Sequence, residues 1–298
     1  MSHHRRAASG PGQRPSTAWP GWIAATLPLL VIAAGPATAS AAAGPELAPH
    51  RAVYEITLGD AKGGSGVSDL SGRMVYELTG SACQGYTQNM RFVTRMTNQE
   101  GQMSITDMRS SSWEDALAKA FKFTSTQYKD AKLEESTNGD AARSGPNGEV
   151  KVEISKPSKK ALNIKGNTLF PMQHSLALIA AARKGEQLFV ADIFDGSEKG
   201  EKVYTTASFI GVLNAPGYNA SLSRVENSEA LDKVRSWPIS ISYYEAGAQK
   251  SDAVPAYELA FLYFENGVSR RLFIDYGDFA IRGTLKKLEF LKPAPCKN

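Results

Sequence analysis

Apolar residues with a period of two, repeated along most of the chain, constrain the fold more than any other feature. The first such segment places apolar side chains on one face, at Ala52, Tyr54, Ile56 and Leu58. Further segments of this kind fall at 74–78, 90–94, 103–105, 121–123, 150–154, 188–194, 203–213, 239–244, 257–264, 268–274 and 279–291. Because this period is that of a half-buried β-strand, the sequence predicts a mainly β protein of about a dozen antiparallel strands. We expect one large curved antiparallel sheet, open or rolled into a barrel.

Two local signals refine this prediction. Asn266-Gly267 separates two of the segments and is typical of a tight β-hairpin turn. In the last segment the apolar face continues from Phe279 to Leu285 and then shifts by one residue to Leu288 and Phe290. Such a shift predicts a β-bulge in the last strand.

One principal helix is expected within this series of strands. Pro171 stands at its start, alanine, leucine and isoleucine residues fill positions 176–182, and Gly185 follows two basic residues. Proline in the first turn and glycine just past the last are typical of helix boundaries. Residues 214–234 have no clear period and are predicted to form a long loop.

The first 39 residues have the composition of an export signal. Residues 1–20 contain three arginines and no acidic residue, a short apolar stretch follows, and Ala37-Thr38-Ala39 ends the segment. This order describes a cleavable signal peptide, and the apolar stretch is shorter than the roughly 20 residues of a membrane-spanning helix. We therefore expect a signal peptide at 1–39, a single exported β-rich domain at 40–298, and no transmembrane anchor after cleavage.

Removal of this segment changes what the charge implies. The whole chain has a formal charge of +4, but without the three arginines 31 basic residues face 30 acidic ones, which leaves +1. No dense stripe of Lys and Arg interleaved with aromatic residues is present in the sequence. Nucleic acid is therefore not an expected partner.

Cys83 and Cys296 are the two cysteines of the chain. In an oxidising compartment an even number of cysteines indicates a disulfide, and two cysteines allow a single intramolecular pairing. The bond would join an early turn to a residue near the C-terminus. The sequence contains no Cys-x-x-Cys motif, so redox catalysis is not indicated.

The search for chemistry gives no catalytic, cofactor or metal site. After export two histidines remain, His50 and His174, and the second is expected to cap or pack at the helix start. Acidic residues at Glu114-Asp115 and Glu134-Glu135 are neighbours on strands and would point to opposite faces. Asp192 and Asp195 flank a turn, where capping of backbone N–H groups is the expected role.

Several short motifs, taken in their order, resemble the EipB-type family of Gram-negative envelope integrity proteins. They are Leu47–Tyr54, Gly72-Arg73-Met74, Cys83–Thr87, Ser112–Asp115, Phe194–Ser197, Lys202–Tyr204 and the terminal cysteine. The resemblance implies a periplasmic protein with a spiral-shaped sheet, a disulfide corresponding to Cys83–Cys296, and a role in envelope integrity under stress. It implies no enzymatic activity.

The concave face of such a sheet is the expected place for a ligand. Four aromatic residues are candidates for a groove there: Tyr54, Tyr76, Phe92 and Trp113. The leading hypothesis is a non-enzymatic protein that binds an envelope protein, a lipid or a lipoprotein. A carrier of lipid or lipoprotein and an unrecognised envelope-polymer hydrolase remain as alternatives, and ordinary core packing is the alternative for each aromatic residue.

Overall fold

The computed structural model describes residues 46–144, 148–247 and 254–296. The predicted signal peptide at 1–39 lies outside the described residues. Fourteen β-strands and one α-helix follow each other along the described chain. The first eight strands are β1 His50–Ala61, β2 Val67–Ser81, β3 Gly85–Asn98, β4 Met103–Glu114, β5 Ala120–Lys129, β6 Lys132–Arg143, β7 Val150–Lys156 and β8 Lys160–Ile164. After them come α1 Pro171–Lys184, β9 Leu188–Ile193, β10 Tyr204–Ile210, β11 Ser236–Glu245, β12 Tyr257–Phe264, β13 Ser269–Asp275 and β14 Phe279–Phe290.

All fourteen strands form one antiparallel sheet. Their spatial order is β8-β7-β6-β5-β4-β3-β2-β1-β14-β13-β12-β11-β10-β9. Every pairing but one joins strands that are consecutive in the chain, and the exception is β1 with β14. The sheet is open, with β8 and β9 at its edges, which confirms the predicted large antiparallel sheet with one helix.

Helix α1 connects these two edge strands along the chain. Its first residue is Pro171, and Gly185 ends it with a φ of 76°, the left-handed conformation that glycine adopts without strain. Both boundaries agree with the sequence prediction. Just before the helix, Leu169 forms a parallel bridge with Ile193 of β9. The segment that leads into α1 therefore lies against the free edge of β9.

Both local signals in the C-terminal part are confirmed. Strands β12 and β13 form the hairpin predicted from Asn266-Gly267, and the N–H of Gly267 donates to the carbonyl of Phe264 at 2.8 Å. In β14 the register passes from Val53 opposite Lys287 to Tyr54 opposite Leu285. One residue of β14 is thus left over, which is the predicted bulge.

Residues 214–234 are more ordered than the predicted loop. They contain two short 3₁₀ turns, Tyr218–Ser221 and Glu229–Lys233. Val225 and Leu231 are buried against β1, β12 and β14. The segment is thus an irregular cover over part of the sheet, held by two apolar anchors.

The apolar core has three parts. The apolar residues of α1 pack against β9–β12. A second cluster joins β1, β2 and β12–β14 under the 214–234 segment. A third holds four phenylalanines between β5–β7 and the segments that flank the helix and β9: Phe121, Phe123, Phe170 and Phe194. The core is therefore distributed around the concave side of the sheet.

The predicted disulfide joins Cys83, in the turn between β2 and β3, to Cys296 beyond β14. Hydrogen bonds accompany it along the C-terminal segment. The N–H of Leu291 donates to the carbonyl of Pro49 at 2.9 Å, and the N–H of Ala294 donates to that of Gly80 at 3.0 Å. The bond therefore closes the end of the β1–β14 pairing.

Cys83→Ser should lower the stability of the oxidised protein and release the C-terminal segment. The disulfide spans 213 residues, a loop for which the chain-entropy model gives an upper limit of about 5 kcal/mol. We expect a lower melting temperature and faster proteolysis after β14 in limited digestion. Cys296→Ser should behave in the same way. An unchanged melting temperature in both variants would contradict a structural role of the bond.

Candidate functional site

A cavity of about 630 Å³ lies on the concave side of the sheet. Its volume is within the range of about 300–1,000 Å³ that is usual for small-ligand sites. Residues from both halves of the sheet and from α1 line it. It is the part of the interior that the three core clusters leave unfilled.

One wall of the cavity is apolar. Helix α1 contributes Met172 and Leu178, and strand β11 contributes Ile241 and Tyr243. Further apolar residues come from β1–β4 and β12–β13: Tyr54, Met74, Tyr76, Met90, Met108, Leu259, Phe261, Tyr263, Leu272 and Ile274. The four methionines in this wall are unbranched and flexible, so this surface can adapt to different apolar shapes.

A second part of the lining, the hydroxyl wall, is rich in hydroxyl groups. It belongs to β4 and β5, where the inward-facing residues include Ser110, Ser112 and Ser125. Ser110 and Ser125 are direct cross-strand neighbours. A ligand that contacts both walls has apolar surface on one side and can form hydrogen bonds on the other.

Three acidic side chains also line the cavity, and two histidines complete its ionisable groups. The acidic residues are Glu135 on β6 and, in the segment after β9, Asp195 and Glu198. Burial lowers the pKa of His50 and lowers that of His174 to about 4, so both rings are neutral at pH 7. No lysine or arginine is found in this lining among the described residues.

The four aromatic residues predicted for a groove have different positions. Tyr54 and Tyr76 line the cavity, and the hydroxyl of Tyr54 donates to the carbonyl of Ser269 at 2.8 Å. Phe92 lies between Met74 and Met108 in the cross-strand register but packs against the second core cluster.

Trp113 is on the other face of the sheet. It alternates with the cavity residue Ser112 on β4 and shares its face with the ion-paired Asp107 and Arg109. The structure therefore brings two of the four aromatic residues to the cavity and leaves two outside it. Ligand binding by this site stays a prediction.

His174 has the packing role expected from the sequence, and it also lines the cavity. Its side chain is buried, and Nε2 lies 3.1 Å from the hydroxyl of Thr206. Asp195 caps its turn as expected, because Oδ1 accepts the N–H of Ser197 at 2.9 Å. Oδ1 of Asp192 instead accepts a hydrogen bond from the hydroxyl group of Thr205 at 2.7 Å.

The carboxylate of Glu114 holds the start of α1, a role that the sequence analysis missed. From the end of β4, its two oxygens accept the N–H groups of Met172 at 2.7 Å and Gln173 at 2.9 Å. Phe170, at the N-cap position, has no side-chain acceptor, so a residue distant in sequence satisfies the helix terminus. Burial raises the pKa of Glu114 to about 7, although the two N–H groups and Arg143 act in the opposite direction.

Arg143 of β6 supports the same corner. Its Nε donates to the carbonyl of Ala118 at 3.0 Å, and one terminal nitrogen donates to that of Thr168 at 2.7 Å. The guanidinium carbon lies 4.7 Å from the centre of the Phe170 ring, a cation–π distance. Glu114 and Arg143 therefore fix α1, and with it one wall of the cavity, to the N-terminal half of the sheet.

Within 46–144, 148–247 and 254–296, no three side chains of His, Cys, Asp or Glu converge as a metal site would need. Over the same residues, no helix has the length and apolar character required to cross a membrane.

Comparisons with known proteins agree with the sequence motifs. A model of the EipB-like family matches residues 41–292. The cell envelope integrity protein EipB of Brucella abortus (strain 2308) is 40% identical over 251 residues, which are 84% of this chain and 87% of that protein. A crystal structure of a beta-barrel-like protein of a domain of unknown function, also from Brucella abortus, has a TM-score of 0.74 at 38% identity. That match covers 83% of this chain and 99% of the other.

Glu114→Ala should destabilise the protein by about 2 kcal/mol or more, because it leaves two buried N–H groups of α1 without an acceptor. Asp115→Ala is the matched control. That neighbouring carboxylate also accepts two backbone N–H groups, of Leu117 and Lys119, but in an exposed turn where water replaces it. Urea unfolding measures both variants, and equal losses would contradict the capping role.

His174→Gln should change how stability depends on pH. The pKa of His174 is about 4 in the fold and 6.5 when unfolded, so the unfolded chain binds the extra proton first as pH falls below 6.5. Between pH 7 and pH 5 the wild type should therefore lose up to about 2 kcal/mol more than the variant. The raised pKa of Glu114 gives the opposite slope, but it is present in both proteins and cancels in the difference. Parallel unfolding free energies across this range would show that His174 does not titrate as described.

Proposed function

The chain belongs to the EipB-like family, and from this premise we propose that it is a periplasmic protein that supports envelope integrity by binding an amphiphilic ligand in its interior. The cavity of about 630 Å³ carries the proposal. The family is named for cell envelope integrity and not for an enzymatic activity. The proposed mechanism is therefore recognition without chemistry.

The two walls favour a ligand with a long apolar part. Aromatic and methionine side chains offer an apolar surface, and the hydroxyl wall offers hydrogen bonds to a more polar portion. A single acyl chain of a lipid or lipoprotein has this character. Burial of apolar surface contributes about 25 cal/mol per Å² to binding, before the cost of association is subtracted.

Carrier and scaffold functions both use such a site, and they differ in whether the protein releases its ligand. A carrier passes its ligand on, whereas a scaffold retains it or binds a protein partner with the same surface. The anchored position of α1, held by Glu114 and Arg143, favours a preformed site. An envelope-polymer hydrolase is the less supported candidate, because none of the three lining carboxylates is hydrogen-bonded to a side chain that could act as nucleophile or catalytic base among the described residues.

Ser110→Phe should abolish ligand binding while the fold is retained. The side chain of Ser110 belongs to the hydroxyl wall, so a phenyl ring there occupies the empty space and not a packed core. Native mass spectrometry of protein purified from the periplasm should show a bound acyl species in the wild type and none in the variant. The measurement is made under oxidising conditions so that the disulfide is intact.

The matched control is Thr87→Phe. Thr87 is opposite Trp113 in the register of β3 and β4, on the outer face, so the same ring is added outside the cavity. We expect it to keep the bound species. Equal occupancy in all three proteins, or no bound species in the wild type across repeated preparations, would contradict the proposed function.

A further inference from the structure

The charges in the cavity distinguish between ligands that its shape would accept alike. Three carboxylates line it and neither lysine nor arginine does so in the described residues, while the exported chain as a whole is close to neutral. With both histidines neutral, the lining has a formal charge of −3 at pH 7. The negative charge is therefore local to the site.

We propose that the cavity selects a cationic amphiphile: a single apolar chain with an amine or ammonium group at its polar end. This inference rests on the proposed function and names the ligand class for the same site. The apolar wall takes the chain, and the carboxylates of Glu135, Asp195 and Glu198 attract the positive group.

Glu135 is placed on the inner face by the register of the sheet. It is the cross-strand partner of Gln127, and both residues line the cavity at the end of the hydroxyl wall. Its neighbour Glu134 is left over in a bulge, because the register passes from Gln127 opposite Glu135 to Tyr128 opposite Leu133. The carboxylate of Glu134 accepts the side-chain amide of Gln127 at 3.3 Å. No ion pair of Glu135 is present among the described residues.

Asp195 lies in the turn that follows β9, within electrostatic reach of the aromatic wall. Burial and, after it, the negative charge of Asp195 raise the pKa of the cavity residue Tyr243. The carboxylate is fixed by the N–H of Ser197, so its charge stays near the cavity. Glu198, three residues later, is exposed and extends the negative charge toward solvent.

Lys202, a cation close to this turn, has its main partner elsewhere. It pairs with Glu245 at 2.6 Å and is not part of the lining, although the charge of Glu198 contributes to the raised pKa of Lys202. An acidic cleft with low-dielectric walls concentrates its field on the ligand position. A positively charged head group is therefore attracted, whereas a phosphate, sulfate or carboxylate head group is repelled.

The test compares three amphiphiles with the same twelve-carbon chain: dodecyltrimethylammonium, dodecyl maltoside and dodecyl sulfate. Calorimetric titration of the oxidised wild type, below the micelle concentration of each, gives their affinities. We expect the cation to bind about ten-fold or more tightly than the anion, with the neutral amphiphile between them. Added salt should narrow this difference, because it screens the charges.

The triple variant Glu135→Gln, Asp195→Asn and Glu198→Gln removes the three charges with similar side-chain shapes. We expect the cation and the anion to bind it within about two-fold of each other. The control Glu100→Gln, Asp140→Asn and Glu149→Gln makes the same change in net charge at three exposed residues away from the cavity. It should keep the wild-type preference. A melting curve of each variant confirms that it is folded.

The outcomes separate this inference from the proposed function. If none of the three amphiphiles binds the wild type, the proposed function fails. If all three bind with equal affinity, or the anion binds best, the cavity is a ligand site but the charge selection is wrong. A preference lost equally in both triple variants would assign it to net charge and would also overturn the inference.

Discussion

The pairing of β1 with β14 is the interaction on which the rest of the structure depends. Every other described pairing in the sheet is between consecutive strands, so two meanders, β1–β8 and β9–β14, each form by local hairpins. A single ladder from His50–Phe290 to Ala61–Phe279 joins them. Because these residues are far apart in sequence, this ladder has the highest loop-closure cost in the fold. The disulfide beyond β14 and the Leu291–Pro49 hydrogen bond stabilise its end.

A second connection acts on the opposite side of the interior. Glu114 of the first meander accepts two N–H groups at the start of α1, and the apolar face of α1 packs against the second meander. Leu169 adds the bridge to β9. Since the sheet itself is open, these contacts hold its two ends around one interior. The cavity exists because the two meanders are held at both places.

The sequence predicted the elements that depend on local signals. Period-two alternation located most strands, Pro171 and Gly185 bounded α1, and the one-residue shift in the last strand identified its bulge. The same reasoning failed where the role of a residue depends on a contact with residues distant in sequence. Glu114 resembles any carboxylate at a strand end, because its partners on α1 are more than fifty residues away.

The groove prediction shows the same limit. The period of two along a strand shows which residues share a face of the sheet. Whether that face points inward or outward depends on how the sheet curves. Trp113 shares its face with Asp107 and Arg109, a polar pattern that could have placed it outside. No sequence signal separates Tyr76, which lines the cavity, from Phe92, which lies outside the lining, because both are partly buried aromatic residues on the same face of neighbouring strands.

The position of the cavity would link the proposed ligand binding to the stability of the fold. Its lining draws on β1–β6, on α1 and on β11–β13, so a bound ligand contacts both meanders at once. A ligand that binds the folded state alone adds RT ln(1 + [L]/Kd) to the free energy of unfolding. Part of that free energy opposes separation of the two meanders, the same event that the β1–β14 ladder and the disulfide oppose. An interior lined partly with serine hydroxyl groups buries less apolar surface than a filled core, and the proposed ligand would compensate for this at the place where the two halves of the sheet meet.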